Sequence, residues 1–452
     1  MNRFLAWFNY SVALRIGDIL SRYETRRQLK AARKIAVLSS EELQQIQNKK
    51  LQAILAHAVR TVPAYNKSYL KDLNAELSLD CFPVIDKKNI AGNEEYYMSK
   101  EYSIGKCIKM ESSGSSGIKS TVYISRKEHS ILRATLILWW EWSGYYLGKR
   151  MVQTGISPKR GWFKRIKDVL TRTYYIDAFA MTKEEAVRIL KKVARKQGVH
   201  IGGYASSLYV LAEYAEKHFK DGEVVFDACI SWGDKMFAHY KSKIESVFQT
   251  KVFENYGCNE GFMIGQKVDL EYFYLYTPNI FLEILDTTGS PVEDGHIGRV
   301  VVTKLDGYAM PLIRYDTGDL AVKLPLEEYP KNRQYNFPLL KRVIGRNTDI
   351  IHTLDGKALI VHSFTGIFEF YKEIKQFRVV QRDVESITIE FIRSESFTGD
   401  ILVRIEQDLR ERLKTNINIY WSEVDYIEPT KSGKPQIIKN YMIEKSLSDL
   451  TN

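Results

Sequence analysis

The chain has 452 residues, 44% hydrophobic and 27% charged, a globular composition that excludes a disordered or fibrous protein and, at this length, predicts two or three domains. Basic residues outnumber acidic ones, 66 to 55, giving a formal charge of +11; this suits anionic partners without choosing among nucleotide, coenzyme, membrane surface and nucleic acid. Cys81, Cys107, Cys229 and Cys258 stand far apart with no C-x-x-C pair, so neither a zinc site nor a disulfide framework is indicated, and a reducing cytoplasm is the expected setting.

The first segment, MNRFLAWFNYSVALRIGDILSRYETRRQLKAARK, begins with apolar residues that Arg15 and Asp18 interrupt. No cleavage site follows it, and no window holds the roughly 18 uncharged apolar residues of a spanning helix. It predicts an amphipathic helix with Arg22, Arg26, Arg27, Lys30 and Arg33 on its polar side, either packed on the body of the protein or lying on an anionic membrane. Next, SSEELQQIQNKKLQAILAHAVRTV has a serine cap at Ser39 or Ser40 and apolar residues at helical spacing up to Val59, with Pro63 ending the helix. CFPVIDKKNI predicts a loop entering a short helix.

YSIGKCIKM alternates like a strand and runs into MESSGSSGIKS (Met110 to Ser120), after which STVYIS is again strand-like. Ser125 and Glu128, three apart before an apolar run, form a capping-box pattern. Strand, Gly/Ser loop, strand and capped helix in succession argue against a slack linker. From Arg150 to about Lys341, helical patterns alternate with short strands, which predicts a mostly parallel α/β sheet. NIFLEILD and IGRVVVTKL across a Gly/Pro/Asp loop predict an added antiparallel subdomain. Beyond VIGRNTDII, the strands FRVVQ, ITIEFI and INIYWSEVDYI, and a helix with Ile401, Ile405 and Leu409 in register, suffice for a small separate α/β domain. The expected divisions are a helical segment over 1–75, a core over 76–345 and a C-terminal domain over 346–452.

Four stretches could carry chemistry. Gly114 and Gly117 let backbone N–H groups approach an anion, and Ser112, Ser113, Ser115 and Ser116 add hydroxyl donors. YGCNEG (Tyr256 to Gly261) sets one acid, Glu260, beside an aromatic that can stack on a nucleobase. YDTGDL (Tyr315 to Leu320) sets two aspartates around a glycine turn, where a carboxylate can accept both ribose hydroxyls. TKSGKPQ puts Lys434 after a glycine in a terminal loop. Each alone also fits a plain turn.

The ordered succession SSGSSG, YGCNEG, YDTGDL, GRNTD and SGK resembles the adenylate-forming (acyl-activating) superfamily. Within it, AHAVRTVPAYNKSY, FPVIDKKNI and FRVVQ are similar to the phenylacetate-CoA ligase-like group and its capsular-polysaccharide biosynthesis branch. The resemblance spans roughly residues 40 to 445. It implies a large N-terminal adenylate-forming domain, with parallel sheets, helices and a β subdomain, and a small mobile α/β C-terminal domain. It implies that Ser113, Ser115 and Ser116 hold the β- and γ-phosphates of ATP, and that adenine lies against Tyr256 and Gly257, near the SWGDK turn of Gly233 and Asp234. Glu260 would hold Mg2+, Asp319 the ribose, Arg346 ribose or phosphate, and Lys434 the carboxylate and α-phosphate. Departures are Lys119 and Ser120 where Pro then Lys usually stand, Asn259 before the metal glutamate, and Thr348 at the hinge.

The reaction so implied is ATP-dependent activation of a carboxylic acid, then acyl transfer to coenzyme A, a sugar amine or a carrier. The rival is a non-catalytic nucleotide-binding or membrane-associated assembly protein of the same fold; dispersed positive charge speaks against nucleic acid. Tyr204, Ala205 and Ser206, after a Gly-Gly turn at a strand end, are candidates for the substrate side. Trp139 and Trp140 are expected in the core, and His57, His129, His200, His352 and His362 in packing or surface roles.

Overall fold

The computed structural model describes residues 9–66, 77–111, 120–155, 168–169, 171–177, 181, 183–233, 235–346, 350–354, 358–360, 364, 367–368, 370–371, 373–413, 416–428 and 436–442. The chain divides into two compact units: Met1–Ser112, Lys119–Thr317 and Val322–Arg342 form the first, and Ser113–Ile118, Gly318–Ala321 and Val343–Asn452 the second.

In the first unit, helix α1 (Leu14–Ser21) is followed by α2 (Thr25–Ile35) and α3 (Ser40–Thr61). The amphipathic segment is thus two helices, preceded by a π-helical turn over Asn9–Ala13, and not one. Arg33 leaves the expected polar side: its guanidinium donates to Glu141 at 2.8 Å through Nε. Ser39 caps α3 with Glu42 as its reciprocal partner, satisfying backbone donors that otherwise lack a partner. Strands β1 (Ile108–Glu111) and β2 (Thr121–Ile124) pair antiparallel on either side of the Gly/Ser loop, and α4 (Arg126–Trp142) starts on the Ser125/Glu128 capping box.

The strands that follow are β3 (Arg150–Gly155), β4 (Thr173–Asp177), β5 (Val199–Gly203), β6 (Ala228–Ser231), β7 (Val252–Cys258), β8 (Phe262–Gln266), β9 (Phe273–Leu275), β10 (Ile280–Leu285), β11 (Ile297–Lys304), β12 (Tyr315–Lys323) and β13 (Leu339–Arg346). They join in the order β10-β11-β12-β13-β9-β8-β7-β6-β5-β3-β4. Neighbours from β4 to β7 are parallel, while β7 to β8, β8 to β9 and β10 to β11 are antiparallel. The parallel half alternates with α5 (Lys183–Val193), α6 (Ala205–His218) and α7 (Ala238–Phe248). Its strands β5 and β6 are buried throughout, as parallel strands covered on both faces must be. Ile189, Leu190, Leu208, Leu211, Ile244 and Phe248 from these helices share one core with Val152, Ile176 and Ile201 of the strands. Trp139 is fully buried as expected; Trp140 is half-buried and stacks on Trp232 at 6.0 Å.

In the second unit, β14 (Ile350–His352) pairs with β15 (Ala358–Ile360). Strands β16 (Ile374–Gln381), β17 (Ser386–Arg393), β18 (Asn418–Glu423) and β19 (Ile438–Asn440) form a sheet in the order β18-β17-β16-β19. Helix α8 (Asp400–Leu413) contributes Ile401, Ile405 and Leu409 to the core against Val379, Ile389 and Phe391.

Candidate active site

The parallel strands deliver the carboxyl ends of β3, β5, β6 and β7 to one edge of the sheet, where ligands bind in open α/β folds. The chain there is tailored for close approach. A Cβ on Gly202 would stand 2.7 Å from the Trp232 ring, one on Gly203 would collide with the Thr154 hydroxyl, and one on Gly233 with the Tyr204 ring. Gly233 also has φ +85°, a conformation that costs glycine little. Thr154 at the end of β3 sits 2.6 Å from the Ser207 hydroxyl and accepts from the Tyr204 N–H at 3.3 Å. The first turn of α6 is thereby fastened to β3. Ala205 is buried, while Tyr204 and Ser206 are half-buried on that turn.

Tyr256 lies on β7, buried, its ring tilted against Phe273 at 5.9 Å. The β7–β8 register shifts between Tyr256 and Gly257, and a Cβ on Gly257 would collide with the Phe262 carbonyl, so the strand bends where the YGCNEG segment turns back. Asn259 is exposed on this turn and Glu260 is 8% exposed. The Tyr315 hydroxyl donates to Glu260 Oε1 at 3.1 Å, and the Tyr315 ring stacks on Phe262. Burial first, then the adjacent Glu260 charge, pushes the Tyr315 phenol far above its ordinary range, so it remains a donor to the carboxylate. A carboxylate oxygen held in this way suits a hard cation whose remaining ligands come from phosphate and water.

Behind the turn, Gly261 has φ +88°, and Lys304 Nζ is 3.1 Å from where its Cβ would be. Lys304 Nζ and Asp306 Oδ1 are buried without a hydrogen-bond partner among the described residues. They line a cavity of about 10 Å³ with Leu132, Gly261, Met263 and Asn279, which is room for one water. Glu128, 2% exposed, accepts from the Ala309 N–H at 2.8 Å and from the Ser125 N–H at 3.2 Å. Burial pushes its carboxyl up to about 7 against the pull of Lys304.

YDTGDL is not a glycine turn: it lies inside β12, with Gly318 at φ +75°. Asp316 is ion-paired to Arg299 at 2.7 Å, and Asp319 is half-buried in the second unit. Arg346 is the last residue of β13. Ser112, Ser113, Gly114, Ser115, Ser116, Gly117, Lys119, Asp234, Thr348 and Lys434 lie outside the described residues. The strand ends thus bring together Tyr204, Ala205, Ser206, Gly233, Tyr256, Gly257, Asn259 and Glu260. Thr154, Ser207, Trp232 and Tyr315 join them without having been singled out by the sequence reading. The signal available for Tyr315 was its place at the head of YDTGDL; for Thr154 there was none, because its role depends on β3 lying beside β5.

Among the described residues, no group of three or more His, Cys, Asp or Glu side chains could hold a metal, and none of the four cysteines is in a disulfide. His57, His129 and His200 are packed: His57 Nε2 donates to the Tyr308 carbonyl, 2.9 Å away, and His129 stacks on Tyr23.

Residues 351–441 match the CapK C-terminal domain family. Protein CapK of Staphylococcus aureus is 26% identical over 375 residues, 80% of each chain. The phenylacetate-coenzyme A ligase of Pseudomonas putida is 28% identical over 127 residues, 26% of each. Among solved structures, 2-hydroxyisobutyryl-CoA ligase in its postadenylation state superposes with a TM-score of 0.69 at 16% identity, covering 92% of this chain and 94% of that one. The fold is therefore that of 2-hydroxyisobutyryl-CoA ligase. The chain is thus similar in sequence to CapK along most of its length and to phenylacetate-coenzyme A ligase over about a quarter of it.

Proposed function

We propose that this protein activates a carboxylic acid with ATP. The carboxylate oxygen attacks the α-phosphorus, the bond to the bridging oxygen breaks, and pyrophosphate leaves; a thiol or amine then attacks the acyl carbon and AMP departs. The observation that carries this reading is the buried Glu260 carboxylate, held by the Tyr315 phenol on the turn beside Tyr256 and Gly257, at the carboxyl edge of the parallel strands. Support comes also from the neighbours, which include a 2-hydroxyisobutyryl-CoA ligase, an ATP-bound MatB of Rhodopseudomonas palustris with a TM-score of 0.54, and the amide bond synthetase McbA of Marinactinospora thermotolerans with 0.52.

In this reading Ser112 to Gly117 cradle the phosphates, Tyr256 and Gly257 face the adenine with Gly233 and Asp234, and Asp319 and Arg346 hold the ribose. Tyr204, Ala205 and Ser206 meet the acyl substrate. Glu260 holds Mg2+, which supplies positive charge to the phosphates when bound. Lys434 brings a cation to the α-phosphate and the attacking carboxylate, where stabilisation of developing charge is largest. Coenzyme A or an amine of a surface-polysaccharide precursor is the acceptor, and the cytoplasm, where ATP is available, is the compartment.

The test is carboxylate-dependent exchange of labelled pyrophosphate into ATP across a panel of acids, together with hydroxylamine trapping with and without coenzyme A. Lys434→Ala is expected to lose on the order of a hundredfold or more in exchange. Nucleotide binding with no exchange for any acid would overturn the reading in favour of a non-catalytic binding protein.

A further inference from the structure

Helix α1 is inside out. A surface helix ordinarily buries its apolar stripe and shows its charges to water. Here Ile16, Ile19 and Leu20 are 51%, 68% and 80% exposed, whereas Asp18 is only 9% exposed. At about 100° per residue the three apolar side chains share one face and Asp18 lies roughly opposite. The cause is local. The N-cap residue of helix α2 is Glu24, whose side chain makes no capping hydrogen bond; Asp18 Oδ2 instead accepts from the Arg26 N–H at 2.8 Å, and its carbonyl from the Tyr23 N–H at 2.8 Å. A carboxylate at the start of α2 satisfies a free donor and the positive end of the helix.

The base is fixed as well. Leu29 and Ala32 of α2 are buried in the core beside Ala134 and Leu138 of α4, the Glu24 N–H donates to Ser130 at 3.0 Å, and Arg33 pairs with Glu141. The outward apolar face of α1 is therefore held by bonds on its opposite side. Between Asn9 and Leu38 the sequence has seven basic residues and two acidic ones. Arg15, Arg22, Arg26, Arg27, Lys30 and Lys34 are exposed, whereas Asp18 is turned inward.

An exposed apolar stripe flanked by a net excess of cations, of which, among the described residues, Arg27 alone of the exposed ones named pairs with Glu24, matches a surface that is apolar below and anionic above, the boundary of an anionic phospholipid bilayer. We propose that α1 is a membrane-docking element, inserting Ile16, Ile19 and Leu20 among acyl chains while the arginines and lysines contact anionic headgroups. A second copy of this chain would bring the same positive charge against itself.

Co-sedimentation of the full chain with vesicles of phosphatidylcholine, or of phosphatidylcholine and phosphatidylglycerol, tests this independently of any catalytic activity. The chain is expected to bind the anionic vesicles, not the neutral ones, and less tightly as salt is raised. Ile16→Ser/Ile19→Ser/Leu20→Ser is expected to weaken binding by about tenfold or more, and Arg27→Glu/Lys30→Glu, which leaves the apolar face intact, to weaken it as well. Absent binding, equal binding to neutral vesicles, or binding untouched in both variants overturns the proposal. So does wild-type self-association in sedimentation that the triple serine variant lacks, since a second copy would then cover the face.

Discussion

Tyr315 and Glu260 are 55 residues apart in the chain and share one hydrogen bond. A buried carboxylate that loses its donor is left partly unsatisfied and free to turn away, and partners of metal-holding groups affect metal affinity by about 10- to 100-fold when removed. Tyr315→Phe, which keeps the ring on Phe262, is therefore expected to raise the Mg2+ concentration that half-saturates pyrophosphate exchange by roughly tenfold or more, with little change in KM for the carboxylate. An unaltered Mg2+ titration would remove Tyr315 from this role. YGCNEG displays Glu260 as the acid of its turn, but the partner becomes visible only when β12 comes to lie within reach.

At the scale of elements, local signals were legible where they are self-contained. The serine cap expected at Ser39 or Ser40 forms at Ser39, with Glu42 completing a box, and the capping box at Ser125/Glu128 forms as the spacing predicts, because each needs only four consecutive residues. Glu128 shows the limit: a cap in the sequence, it also holds the Ala309 N–H, 181 residues away. Helix α8 was readable from Ile401, Ile405 and Leu409, all at most 3% exposed. Ile405→Ala is expected to cost about 2–5 kcal/mol, measured by denaturant unfolding of the second unit's signal, for instance Trp421 fluorescence. A loss well under that range would mean that the core closes around the gap. YDTGDL was misread for a related reason. Glycine between aspartates signals a turn locally, but strand pairing kept the segment extended and Gly318 absorbed the positive φ inside β12.

For the whole molecule, stability couples to pH through buried groups that the sequence could not distinguish from surface ones. His200 on β5 is fully buried, and burial, with the nearby Lys149 charge, pushes it down to about 4. The unfolded chain binds that proton near pH 6.5 and the folded chain does not. The stability tied to a neutral His200 is thus present above about pH 6.5 and lost as pH falls through about 4. Glu128 acts in the opposite sense: raised to about 7, it favours the fold at low pH and withdraws that contribution as pH rises from about 4.5 to 7. His200→Gln is accordingly expected to lose less stability than the wild type between pH 7 and 4, read as the difference in Tm; an identical pH slope in both would mean that His200 titrates normally.

By itself the sequence determined most of the succession of elements, the α/β class and the order of motifs, and it singled out Glu260 as the acid on which the proposed chemistry rests. These depend on periodicity, caps and turn residues, which act over a few neighbours. Only the tertiary structure decided which long-range partners those residues have: Tyr315 for Glu260, Thr154 for the start of α6, Arg299 for Asp316 and Glu141 for Arg33. It also decided that α1 turns its apolar face outward, against the expectation that hydrophobic residues go in. The physical reason is common to all of these: a polar group removed from water must find a partner, and for these residues the partner comes from another element.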